Sequence, residues 1–135
     1  MEQIHAALGA FFLGDPQPTL NLFSHAEDVT LGNPFGPFVR GWERVAEVAT
    51  HAATHYREGE AVGFDRIATY ASGDLASFVE LERYRAKVGG AEEMSSITLR
   101  VSTLLRREAD GWRIASRHAD PITAVRPAES VIAED

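Results

Sequence analysis

The 135-residue chain contains no cysteine, which excludes disulfides, thiol catalysis and thiolate metal sites together. No apolar run approaches the roughly 18 residues of a membrane-spanning helix. Positive charge is scarce and unclustered: 13 Lys and Arg stand against 20 Asp and Glu, for a formal net charge of −7. Phosphate binding needs a basic face, so nucleic acid is not an expected partner. The first residues lack the basic start and apolar run of a signal peptide. The expectation is a soluble, cytoplasmic protein with no membrane partner. Internal repeats and low-complexity tracts are also missing, and the length suits one domain with a core of its own.

Two hydrophobic periods divide the chain. Ile4, Ala7, Leu8, Phe11 and Phe12 recur at helical spacing up to Gly14. In "GDPQPTLNLF", Asp15 suits an N-cap and Pro16 a first helical position, so a second helix follows. Residues 28–31 read as a short strand. From Gly41, the positions Trp42, Val45, Ala46, Ala49, Ala52, Ala53 and Tyr56 form one apolar stripe, with Gly59 as the expected end of a third helix. The period then becomes two. Residues 63–70, 75–88, 96–107 and 112–119 read as four strands joined by the turn-like "ASGD", "GGAEE" and "EADG". Such short connections imply antiparallel hairpins, and helices on one face of that sheet give an α+β fold. Residues 125–135 are polar and acidic and read as a loose tail after a domain of residues 1–124.

The stretch "FSHAEDVTLGNPFGPFVRGWERVAEV" and the later "LLRREADGWRIASRHADPI", in that order with a strand pair between them, resemble the SnoaL-like proteins. That family shares a superfamily with nuclear transport factor 2 and ketosteroid isomerase. The resemblance covers about residues 1–124. It implies a cone in which a curved antiparallel sheet wraps around the helices and leaves a deep pocket for a small, largely apolar ligand. It also implies a homodimer through the outer face of the sheet. The superfamily holds isomerases, polyketide cyclases, epoxide hydrolases, dehydratases and non-catalytic adaptors, so fold alone does not name the reaction.

Ketosteroid isomerase carries "D-P-x-G" at a strand end, and that Asp is its general base. The matching positions here read Asn33-Pro34-Phe35-Gly36, and an amide accepts no proton near neutral pH. The isomerase's Tyr and protonated Asp, which form its oxyanion hole, fall by ungapped counting at Ala7 and Thr103. No Tyr precedes Tyr56, and residues 96–107 contain no Asp. The resemblance therefore points away from the steroid isomerase mechanism. Asn33 is left as a polar anchor for a ligand carbonyl, or as a residue bonding its own turn before Pro34.

Other ionisable residues offer acid/base chemistry. Trp112, Ile114, Ser116, His118 and Asp120 alternate along the last strand; with Trp112 and Ile114 taken as core, His118 and Asp120 are expected to point into the cone. A His beside a carboxylate can act as acid or base near neutral pH, and Asp120 resembles the pocket Asp base of the SnoaL-like cyclases. The alternative is a hydrogen-bonded core His118 and a strand-ending Asp120 before Pro121. In "FVELERYRAK", Phe78, Glu80, Glu82 and Tyr84 share one face. If that face is concave, Phe78 and Tyr84 wall the pocket and Glu82 joins the catalytic set, since a carboxylate among aromatics has a raised pKa. The alternative is a pairing of Glu80 or Glu82 with Arg100 or Arg117 across the strands. Phe35 and Phe38, on the loop that holds Pro34 and Pro37, are expected to contact ligand at the pocket mouth, and Trp42 to line it partly. His51 and His55 have a spacing that could hold zinc, but "HAATH" lacks the Glu of a zinc protease motif, and a solvated helix face is the simpler reading. No metal and no cofactor is expected. Two function classes follow: acid/base chemistry of cyclase, isomerase or dehydratase type, or a non-catalytic ligand-binding or dimerising module.

Overall fold

The computed structural model describes residues 2–133. Helix α1 (Glu2–Phe12) buries Ile4, Ala7, Leu8 and Phe12 along one side. Gly14, at φ 96°, lets the chain reverse into α2 (Gln17–Leu22). The Asp15 carboxylate accepts the Gln17 N–H at 3.1 Å, but the cap position expected for Asp15 is taken by Pro16, one residue later, and no side chain caps the helix from there. Strand β1 (Thr30–Gly32) and the two-residue β2 (Val39–Arg40) flank the Pro/Gly loop, and α3 (Trp42–Ala53) follows. The long strands are β3 (Tyr56–Ser72), β4 (Leu75–Val88), β5 (Ser95–Glu108) and β6 (Gly111–Asp120).

The third helix ends earlier than its sequence pattern suggests. Thr54 Oγ1 donates to the His51 carbonyl at 2.6 Å and the chain turns. Tyr56, which fits the helical stripe, instead opens β3 and packs its ring against Phe12, with centroids 4.2 Å apart. Gly59 is not a helix cap. It lies within β3 where a Cβ would stand 2.5 Å from the Phe12 carbonyl oxygen, so the absent side chain lets α1 settle onto the sheet.

The six strands form one sheet in the order β2-β1-β6-β5-β4-β3. Strands β3 to β6 make the expected antiparallel meander, while β1 joins β6 in parallel. The helices cover one face, and the core between the layers includes Leu8, Phe12, Phe23, Val45, Phe78 and Tyr84. The architecture is α+β, with N-terminal helices against a curved open sheet.

One irregularity in β6 decides which side chains enter that core. Leu105 pairs with Ile114, but Leu104 pairs with Ser116, leaving Ala115 as an extra residue. Ile114 and Ala115 are both buried, and the alternation beyond them is inverted. A bulge of this kind sends every following side chain to the opposite face. Arg117 and Ala119 therefore point inward, in place of Ser116, His118 and Asp120. After residue 123 the described tail is exposed and contains a 3₁₀ turn at Ala128–Val131. The last two positions of the expected tail, 134 and 135, lie outside the described residues.

Candidate functional site

Between the helices and the sheet lies a cavity lined by Leu8, Phe11, Phe12, Phe23, Leu31, Ala49 and Leu99. Asn33, Pro34 and the exposed Phe35 stand at its outer end, and Arg117 is its charged lining residue. Its volume is about 50 Å³. A water occupies roughly 10–15 Å³ on such a measure, so the space holds only a few waters. A polycyclic molecule would enter only after the mouth widens.

Behind Arg117 sits a buried polar network. Its terminal nitrogens donate to both oxygens of Glu82, at 3.1 and 2.7 Å. Tyr84 donates its hydroxyl to Glu82 Oε1 at 2.6 Å. Strand alternation then places Glu80 beside Glu82 on the same inward face. Glu80 meets two partners from other elements. His5 of α1 brings Nε2 within 3.3 and 3.2 Å of its two oxygens, and Arg66 of β3 donates to Oε1 from Nε and Nη2 at 3.3 and 3.2 Å. The side chains of Glu80 and Glu82 have no exposed surface. Thr103, opposite Arg117 on β5, is buried with no hydrogen-bond partner for its hydroxyl among the described residues.

The two carboxyl groups are driven apart in acidity. Burial, then the adjacent Glu82, push Glu80 up to about 7, against the opposing pull of Arg66. Burial pushes Glu82 upward too, but the charge and hydrogen bonds of Arg117 outweigh it and hold Glu82 below its ordinary value. The pair thus comprises a proton-holding acid and an ionised carboxylate a few ångströms apart, a pattern suited to moving a proton. Burial also pushes the Tyr84 phenol far up, so that it stays a donor.

Residues 3–123 match the profile of the SnoaL-like domain. The chain belongs to the SnoaL-like family. Solved structures agree on the fold. A nuclear transport factor 2 (NTF2-like) superfamily protein from Salmonella enterica superposes with a TM-score of 0.75 at 20% identity, covering 95% of this chain and 92% of that one. A ketosteroid isomerase-like protein from Erwinia carotovora gives 0.71 at 20% identity, with 91% and 96% covered. A Streptomyces avermitilis protein provisionally described as a dehydratase of the NTF2-like family gives 0.72 at 20% identity, again with 91% and 96% covered. A search of curated proteins found no match.

Within this SnoaL-like chain the residues singled out from sequence separate into three groups. Glu82, Tyr84 and Phe78 all point inward, with Glu80 beside them. Tyr84 stacks on Phe12 at 3.8 Å, and Phe78 lies under the Arg66 guanidinium at 4.2 Å. Asn33 and Phe35 stand at the cavity's outer end. The Asn33 side chain accepts the Phe35 N–H at 2.9 Å, so it bonds its own turn, the second of its two expected uses.

His118, Asp120, Phe38 and Trp42 stand elsewhere. The expectation that His118 and Asp120 point into the cone is corrected by the bulge at Ala115: they lie on the outer side of the sheet. There His118 Nε2 approaches Asp120 at 3.3 Å, and Arg100 donates to Asp120 at 2.7 Å. Phe38 covers Gly32 on that same side, its ring 5.2 Å from that of His118, and is 62% exposed. Trp42 is half-buried and stacks on His25 at 3.7 Å, away from the cavity. Trp112, taken as core, is 42% exposed under the Arg107 guanidinium. His5 carries no sign of this contact in the sequence, where it stands amid the apolar spacing of α1. Arg117 is the cross-strand partner of Glu82 that its position allowed, and it also reaches the cavity wall, which the strand pattern does not signal.

Proposed function

We propose that this protein carries out acid/base chemistry of isomerase, cyclase or dehydratase type on a small, largely apolar molecule, without a cofactor. The supporting observation is the Glu80–Glu82 pair standing directly behind Arg117 at the wall of an apolar cavity. A ligand's oxygen meets the Arg117 guanidinium, which stabilises negative charge as it develops. The carboxyl pair holds the proton to be moved, and the phenol of Tyr84 keeps Glu82 oriented. The aliphatic and aromatic lining takes the ligand's apolar body.

A second reading is favoured by one observation: neither carboxylate side chain has exposed surface. A wall whose one charged residue, among the described residues, is Arg117 suits a non-catalytic binding module for the same ligand class. The outward residues Val62 and Ile67, 57% and 64% exposed, support the further proposal that a second copy of the chain packs against the sheet.

A panel of cyclic enones and hydroxyketones, from one ring to two, separates the readings. Thermal shift reports binding and absorbance reports turnover, for wild type, Glu80→Gln and Glu82→Gln. Under the enzymatic reading the variants still bind and lose roughly 10²- to 10⁴-fold in turnover. Binding by wild type with no turnover on any member would leave only the binding module.

A further inference from the structure

We propose that His5 is the proton port of the buried carboxylate pair, exchanging protons between solvent and Glu80 by a route separate from the cavity mouth. The inference rests on the acid/base reading of Glu80 and Glu82. An acid that gives up its proton in a sealed site must regain one, and a bound ligand would plug the mouth beside Phe35.

Every element packed against Glu80 restricts the choice. From α1 comes His5, from β3 Arg66, along β4 Glu82, and across from β6 Arg117 through Glu82. On β5 the residue opposite Glu80 is the uncharged Val101. A guanidinium keeps its proton at any ordinary pH and cannot relay. Glu82 is as deeply enclosed as Glu80. His5 alone among these partners is both titratable and open to solvent, with 24% of its side chain exposed.

The geometry suits transfer. The imidazole lies flat on Phe64, with centroids 3.6 Å apart and planes 2° from parallel, which fixes the ring in its plane. Nε2 is thereby aimed at both oxygens of Glu80, at 3.3 and 3.2 Å. Burial, with Arg66 and Arg117 opposing the charge from Glu82, lowers the His5 pKa, so the neutral ring predominates near pH 7. A neutral imidazole relays without storing charge. Nδ1 takes a proton from hydronium, the Nε2 proton passes to a Glu80 oxygen, and the ring is left neutral as its other tautomer. The ring then resets, and the reverse sequence exports a proton.

The test needs no substrate. Protein carrying ¹³C at its glutamate side-chain carboxyls is titrated by NMR, with Glu80 assigned by loss of its signal in Glu80→Gln. His5→Phe keeps an aromatic ring on Phe64, and His5→Gln keeps an amide donor for Glu80; neither can relay. In wild type the Glu80 carbon gives one averaged signal through its midpoint. In either folded variant, proton exchange slows by about tenfold or more and the signal broadens or splits. Exchange within about twofold of wild type in a folded variant would overturn the port. Turnover on the ketone panel is read separately, so failure of the acid/base reading and failure of the port give different results.

Discussion

Arg117 donates from both terminal nitrogens to Glu82, at 3.1 and 2.7 Å, and both side chains are buried. Removing one partner strands a charge in the core. Arg117→Met is expected to cost about 3–5 kcal/mol in urea denaturation, because Glu82 is left unpaired. Adding Glu82→Gln to that variant should restore much of the loss, with a coupling of about 2 kcal/mol, since the new amide still accepts from Tyr84. Additive single effects would mean that the pair is not a unit.

The pH dependence of stability should bear the mark of Glu80. Its folded-state pKa of about 7 exceeds the ordinary 4.5, so the native state holds this proton more tightly than the unfolded chain. Stability from this group is full below 4.5 and is lost as pH rises toward about 7. His5 acts in the opposite sense, because a lowered imidazole pKa favours the native state as pH rises through 6.5. Comparison with Glu80→Gln isolates the carboxyl. The variant should gain on wild type by about 3 kcal/mol between pH 4.5 and 7, then hold a constant difference. A gap that does not change with pH would show Glu80 titrating normally.

The bulge at Ala115 invites a deletion. Removing that residue joins Ile114 directly to Ser116, which restores strict alternation with both flanking registers kept, so Arg117 stays inward. The expected cost is only about 1–2 kcal/mol, from the lost Ala115 packing and the changed local twist, because Glu82 keeps its cation. Ala115→Gly, which keeps the extra residue, should cost only about 1 kcal/mol. Circular dichroism melts of the two variants make the comparison. A deletion variant that loses cooperative unfolding would contradict the register.

These contrasts show what the sequence made legible. Strand β4 was readable to its last residue, since its alternation runs unbroken and both faces have a chemical identity. The antiparallel meander was equally clear from its turns. The face of β6 was not, because an inserted residue leaves no trace in a two-residue period except adjacent apolar residues, here Ile114 and Ala115. The end of α3 was hidden for a related reason: Tyr56 satisfies helical spacing and strand burial alike. Only the tertiary fit against Phe12 selects the strand. His5 was obscured by its neighbours, since a polar residue beside Ile4 and Leu8 looks like the solvated edge of an amphipathic helix. Its partner, Glu80, lies 75 residues away.

The parallel seam between β1 and β6 has a mechanical consequence. Leu31 pairs with Arg117 and Gly32 with His118, and the loop carrying Asn33 and Phe35 starts immediately after this last rung. The mouth thus begins one residue beyond the rail that fixes the guanidinium. A guest that displaced the loop would leave the charge on the wall at its post.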